Sequence, residues 1–261
     1  MTGLFDVRGK TVVVTGGSRG IGLMIARGFV EAGASVLISS RKADACAEAV
    51  EALSALEGGG TCVAHPADLS TDEGLAGLAA RIGEFAPRLD VLVNNAGAVW
   101  GAPLGEFPDA GFDKVLSLNV KAVFSLTQRV LPQLRAAASD ADPARVINIG
   151  SIDGLVVSQS DNFSYVASKA GVHMLTRKLA ATLAPDRVTV NAIAPGPFAT
   201  KMMAYVLDDP ERRRGVEQRV PLGRIGSYED VAGTAIFLAS RAGAYLTGAI
   251  VPVDGGASGA R

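Results

Sequence analysis

Thr11-Val12-Val13-Val14-Thr15-Gly16-Gly17-Ser18-Arg19-Gly20-Ile21-Gly22 opens the chain as a short apolar run, then a glycine cluster, and Leu23-Met24-Ile25-Ala26 follows in a helical pattern. Glycines at 16, 20 and 22 permit a tight turn, close backbone approach to a pyrophosphate and tight helix–strand packing. The helix that follows would aim its first N–H groups at the phosphates. A glycine cluster alone is often only a turn; between a strand and a helix it predicts a dinucleotide site.

The same alternation continues outward from this unit. Strands are expected at Thr11–Thr15, Ser35–Ser39, Thr61–His65, Asp90–Asn94, Arg145–Gly150, Arg187–Ile193 and Ala249–Val253, and helices near 20–32, 43–57, 71–86, 109–137, 163–184 and 227–240. Val91-Leu92-Val93 is apolar throughout, as in a sheet covered on both faces. Such alternation predicts an α/β, Rossmann-type doubly wound parallel sheet with helices on both faces. With no linker and no repeat, residues 1–261 read as one domain, and the proline-rich stretch 195–226 (Pro195, Pro197, Pro210, Pro221) suits a substrate lid.

Bulk properties exclude several classes. The 261 residues are 48% hydrophobic and 20% charged, with a net charge of -1, so neither a nucleic-acid nor an anionic-membrane partner is expected. Cys46 and Cys62 have no metal or disulfide spacing, and Met1–Lys10 lacks the apolar run of a signal peptide. A cytoplasmic location and no metal are the expectations.

The second strand ends Ile38-Ser39-Ser40-Arg41-Lys42. A carboxylate there would bind the ribose 2′-hydroxyl of NAD. Hydroxyls and cations, with Arg19 nearby, instead suit a 2′-phosphate, so NADP(H) is expected in preference to NAD(H). Further along, Tyr165 and Lys169 lie four residues apart, on one face of a helix. An ammonium there would stabilise the phenolate and bring the tyrosine pKa down towards neutrality, for proton exchange with a substrate oxygen. Alone this pair is weak evidence; beside a dinucleotide site it points to catalysis.

These motifs, with Asp68-Leu69, Asn94-Asn95-Ala96-Gly97, Asn119 in Leu-Asn-Val, Ser151, Pro195-Gly196 with Thr200 and Asp254-Gly255-Gly256, resemble the short-chain dehydrogenase/reductase family over nearly the whole chain. The resemblance implies seven parallel strands, a homotetramer, and a tetrad of Asn119, Ser151, Tyr165 and Lys169. Tyr165 would donate the proton, Ser151 polarise the carbonyl, Lys169 also hold the nicotinamide ribose, and Asn119 position a water leading to solvent. For the cofactor it implies contacts from Gly16, Ser18, Arg19, Gly20, Ile21, Gly22, Ser40 and Arg41, with Asp68 and Leu69 at the adenine. Asn95, Ala96 and Gly97 would line the ribose and nicotinamide, and Tyr165 and Lys169 would also touch the cofactor. Pro195, Gly196, Phe198 and Thr200 would lie at the carboxamide; Phe198 is an aromatic where an aliphatic residue is usual.

Within the family, Pro221–Gly226 and Tyr228–Ala232 look like the 3-oxoacyl reductase branch, and Asn94–Gly101 and the 14-residue gap from Ser151 to Tyr165 look like its rhamnolipid-associated type. That implies NADPH-dependent reduction of a 3-oxoacyl thioester on an acyl carrier protein or CoA. The alternative is a dehydrogenase or reductase of another secondary alcohol or ketone (sugar, polyol, steroid), since the chemistry is reversible; a non-catalytic NADP-binding regulator is a distant one, since all four tetrad residue types are present. Arg212-Arg213-Arg214 reads as a solvated helical face diluted by Asp208, Asp209, Glu211 and Glu217. A hydrolase triad of Ser151, Asp153 and His173 is not expected, because His173 lies about 12 Å beyond Tyr165 along the helix.

Overall fold

The computed structural model describes residues 3–200, 203 and 208–259. Seven parallel strands form one sheet: β1 (Thr11–Thr15), β2 (Ser35–Ser40), β3 (Thr61–Pro66), β4 (Val91–Asn94), β5 (Ala144–Ile149), β6 (Val188–Pro195) and β7 (Ile250–Val253). Their order is β3-β2-β1-β4-β5-β6-β7. The chain therefore reverses its winding between β1 and β4, which opens a crevice at the carboxyl ends of those strands.

The helices are α1 (Gly20–Glu31), α2 (Ala43–Ser54), α3 (Asp72–Phe85), α4 (Asp109–Leu116), α5 (Ala122–Arg129), α6 (Leu131–Ala137), α7 (Phe163–Leu183), α8 (Pro210–Glu217) and α9 (Tyr228–Ala239). Two apolar layers result from the two-residue period of the strands. Val12, Val14, Val91 and Val93 join α1 and α9 on one face. Val13, Leu92 and Val146 join α3, α5 and α6 on the other. Packing on the first face is close enough that a Cβ on Gly28 of α1 would stand 2.7 Å from Ala232 Cβ of α9.

The strands and most helices match the expected positions. Two differences have local causes. The single helix expected over 109–137 is divided by a π-helical turn at Ser117–Lys121 and by a break at Val130, just before Pro132, whose ring cannot continue the hydrogen-bond ladder. The irregular stretch 195–226 contains α8, started by Asp209, whose carboxylate accepts from the N–H groups of Glu211 and Arg212. Residues 201, 202 and 204–207 of that stretch lie outside the described residues.

Arg145 is 1% exposed at the start of β5; its guanidinium donates to the Leu238 and Ser240 carbonyls at the end of α9 and pairs with Asp142 at 2.9 Å. A cation at a helix C-terminus is favourably placed. Cys46 and Cys62 are both buried and unpaired. Burial raises both thiols, Cys62 to about 12. No helix among the described residues is long and apolar enough to cross a membrane.

Candidate active site

At the nucleotide end the backbone dictates the sequence. Gly16 and Gly20 sit at φ 66° and 54°, which L side chains rarely adopt. A Cβ on Gly22 would lie 2.3 Å from the Gly16 carbonyl oxygen, and one on Gly17 would lie 2.7 Å from the Ile38 side chain. Any larger residue at these positions would therefore push the loop apart. The first turn of α1 has no side-chain cap and no acidic residue, so its N–H groups lie open to an anion. Arg19 and Arg41 are exposed and make no ion pair among the described residues, and Arg41 lies near enough to Asp68 to lower its pKa, behind the hydrogen bonds from Ser70. A glycine cradle, an uncapped helix start and two uncommitted cations fit a dinucleotide with an added phosphate.

Several expected contact residues have tasks of their own. Asn95 Nδ2 donates to the Thr15 carbonyl at 2.8 Å and to that of Gly16 at 3.2 Å, while Thr15 Oγ1 accepts from the Asn95 and Ala96 N–H groups. Its side chain thus clamps the glycine loop. Asp68 Oδ1 accepts from the N–H and hydroxyl of Ser70, which holds the turn before α3. Leu69 is buried and Ser18 nearly so, while Ser40, Ile21, Ala96 and Thr200 are half-buried and Gly97 is exposed. Thr200 reaches the glycine loop, since a Cβ on Gly20 would meet its side chain at 3.4 Å. Gly196 is tied to β7 by its N–H donating to Val253 O, where Pro195 ends β6.

The Phe198 side chain belongs to the core. It is 2% exposed, and its ring fills the space a side chain on Gly226 would need, 2.5 Å from that position. A parallel bridge and the Gly226 N–H donating to Pro197 O close the same junction. The ring is a core group, and only the main chain of Phe198 is left for a carboxamide.

The chemistry lies at the ends of β4 and β5 and on α7. A buried polar ladder fixes these elements together: Asn94 Nδ2 donates to Thr127 and Asn148, and Asn148 Nδ2 donates to Thr176 Oγ1 at 2.9 Å. Each member is partnered, so the ladder is specific rather than costly. Ser151 follows β5 and its Oγ accepts from the Asp153 N–H, which leaves its proton to donate. Lys169 is buried, with Nζ 2.8 Å from the Ile149 carbonyl oxygen and 5.4 Å from the Tyr165 ring centroid. Ser151, Tyr165 and Lys169 therefore share one pocket, as the spacing on α7 predicts.

Asn119 stands behind them in the π-helical turn. Its Oδ1 accepts from Ala98 N–H, and its Nδ2 donates to Ala98 O and to Ser168 Oγ. Both amide hydrogens are used within the chain. It pins the loop after β4 to α7.

The electrostatics correct one expectation. Tyr165 is not brought towards neutrality: burial pushes the phenol up to about 12, with Ser151 lowering it and Asp153 raising it further. Burial also brings Lys169 down to about 8, partly opposed by Asp153. Loss of hydration outweighs the attraction between cation and phenolate, and Lys169 spends a proton on Ile149 rather than on the phenol. Asp153, held by Asn162 Nδ2 at 3.1 Å, is thus an electrostatic member of the site. Sequence reasoning weighed it only as a hydrolase residue, although its place two residues after Ser151 was a usable signal.

The rim of the pocket is apolar. Leu155 and Val156 fold back to the Ile152 carbonyl directly after Ser151, and Val157 is 87% exposed beside them. Phe163, at the start of α7, packs edge-on against Phe107 with ring centroids 5.8 Å apart, and Leu104 is 78% exposed on the same loop. Trp100 turns onto α4, where a Cβ on Gly111 would meet its ring at 2.8 Å and Lys114 Nζ lies 5.3 Å from its centroid. It packs a loop. In α8, Arg212 pairs with Asp209 and Arg213 with Glu217, as a solvated face would.

Comparisons with known proteins agree with this geometry. A family model described as enoyl-(acyl carrier protein) reductase matches residues 16–258. The rhamnolipids biosynthesis 3-oxoacyl-[acyl-carrier-protein] reductase of Pseudomonas aeruginosa is 48% identical over 252 residues, covering 97% of each chain. Galactitol 2-dehydrogenase (L-tagatose-forming) of Cereibacter sphaeroides is 36% identical, covering 97% of this chain and 96% of its own. Among solved structures, the Pseudomonas aeruginosa RhlG/NADP active-site complex superposes with a TM-score of 0.95 at 47% identity, covering 99% of this chain and all of that one.

Proposed function

The chain belongs to the short-chain dehydrogenase/reductase family, and we propose that it is an NADPH-dependent reductase of ketones to secondary alcohols acting on 3-oxoacyl thioesters. The apolar rim carries the substrate reading. Val99, Leu104, Leu155, Val156, Val157 and Phe163 are exposed apolar residues on the segments that follow β4 and β5 and at the start of α7, which suits an acyl chain better than a sugar or polyol.

NADP(H) is the cofactor the cradle fits: Gly16, Gly17, Gly20 and Gly22 give the close approach, and Arg19 and Arg41 the charge for a 2′-phosphate. When bound, it supplies the hydride. The protein's own residues orient the ketone and handle the proton. Ser151 donates its hydroxyl proton to the carbonyl oxygen and polarises it. Tyr165, raised to about 12, holds its proton throughout the neutral range and gives it to the forming alkoxide. Lys169 holds a positive charge beside that phenol, and Asn119 fixes the loop and helix that flank the pair.

We further place the protein in the cytoplasm, in keeping with two buried free thiols, and as a homotetramer. Phe124 on α5 and Met174 on α7 are exposed apolar residues that assembly would cover. Gel filtration at monomer mass would refute the tetramer. The 195–226 segment is assigned as the substrate lid, closed at its base by the Phe198–Gly226 junction.

The decisive assay is NADPH oxidation with acetoacetyl and longer 3-oxoacyl thioesters, a diketone, a crotonyl thioester and a sugar panel. Highest kcat/KM with the 3-oxoacyl thioesters, rising with chain length, is the expected result. Preference for a keto-sugar, as the galactitol dehydrogenase relative suggests, or for the alkene would overturn the assignment.

A further inference from the structure

His173 lies four residues beyond Lys169 on α7 and is 4% exposed; neither ring nitrogen makes a well-formed hydrogen bond, and the backbone of Gly154 is its nearest polar partner. An imidazole buried with so little hydrogen bonding costs free energy, so shape must help to hold it there. Burial keeps the ring below its ordinary pKa, opposed by the Gly154 backbone and aided by the cations Lys169 and Arg177.

The shape it fills is specific. A Cβ on Gly150 would lie 2.1 Å from His173 Nε2, 2.7 Å from Cδ2 and 3.3 Å from Cε1; the three atoms it would first meet all belong to this imidazole. A Cβ on Gly154 would lie 2.7 Å from Lys169 C and 2.8 Å from Ala170 N of the α7 backbone, and 2.9 Å from His173 Cε1. Gly150 and Gly154 stand on either side of Ser151, so the ring occupies a notch that these two glycines leave beneath the serine turn. From the opposite side the turn is held by Gly150 N–H donating to the Ile193 carbonyl at 2.7 Å.

We propose that His173 is a positioning residue: its ring supports the Gly150–Gly154 turn against β6 and so sets Ser151 Oγ relative to the Tyr165 hydroxyl. The inference rests on the reading of Ser151 as the carbonyl-polarising group. It assigns no proton to the imidazole. The ring acts as a shim whose thickness the two missing side chains match.

The test is a double-mutant cycle of His173→Ala and Gly150→Ala, assayed for ketone reduction at saturating NADPH with the most active carbonyl of the panel. Each single variant is expected to lose kcat by about tenfold or more, the scale of a misplaced reacting group, with KM for NADPH nearly unchanged. The double variant should recover part of that loss, because the methyl at 150 enters space the ring has vacated. His173→Ala at wild-type kcat, or a double variant whose loss is the product of the single losses, would overturn the proposal. Should His173→Ala not accumulate, the double variant against Gly150→Ala decides: higher kcat in the double supports the proposal, lower or equal kcat refutes it. A crystal structure of the double variant and of Gly150→Ala reads the geometry without any substrate, so it tests the support even if the 3-oxoacyl assignment falls. A Ser151 displaced in Gly150→Ala and restored in the double supports it, and an unmoved Ser151 in both sinks it.

Discussion

The two ends of the cleft are built on different principles. At the nucleotide end, main-chain atoms leave no room: Gly16, Gly17, Gly20 and Gly22 are where they are because a Cβ would collide or a positive φ forbids it. At the tetrad end, apart from the notch at Gly150 and Gly154, room is not the main constraint. There, burial first and the nearby Asp153 carboxylate second set the protonation of Lys169, while burial, Ser151 and Asp153 set that of Tyr165. A steric site is fixed by what is absent from the sequence; an electrostatic site depends on how deeply it is covered.

Substitutions can separate the two. Tyr165→Phe should cost about 10²- to 10⁴-fold in kcat, the range of a positioned acid, while NADPH affinity measured by fluorescence stays within twofold. Loss of binding as well would mean the ends are not independent. Gly22→Ala should do the reverse. With its methyl 2.3 Å from the Gly16 oxygen, it is expected to weaken NADPH binding about 10²-fold and lower the melting temperature, as forced overpacking does. Arg41→Asp should cut the NADPH/NADH preference in kcat/KM by about tenfold or more, the scale of a few kcal/mol near a surface. An unchanged ratio would defeat the NADP assignment.

The smallest effect concerns pH. With Lys169 at about 8, kcat/KM should fall as pH rises through that value, because the ammonium beside the phenol is lost. Asp153 raises the pKa of both Lys169 and Tyr165, so Asp153→Asn should move this limb to lower pH, by up to about one unit. A limb that stays in place would remove Asp153 from the site's electrostatics.

The same contrast decides what was legible in the sequence. Short apolar strands, the glycine spacing and the Tyr165–Lys169 face on α7 are local patterns, and the structure places them as read. What escaped depends on distant partners. The packing of the Phe198 ring over Gly226 carries no local mark. Neither does the attachment of the Asn119 amide to Ala98 and Ser168. The direction of the tyrosine shift reversed because burial is a tertiary quantity that no four-residue spacing reports. The π-helical turn at Ser117–Lys121 carries no compositional mark at all.

The two cysteines have a practical consequence. With Cys46 and Cys62 both buried and their thiols raised, alkylating reagents that need an exposed thiolate should leave the native chain untouched. A single Val157→Cys replacement would then give one addressable handle at the mouth. A dye attached there would report how far an incoming chain threads past the rim, with no need to strip the natural thiols first.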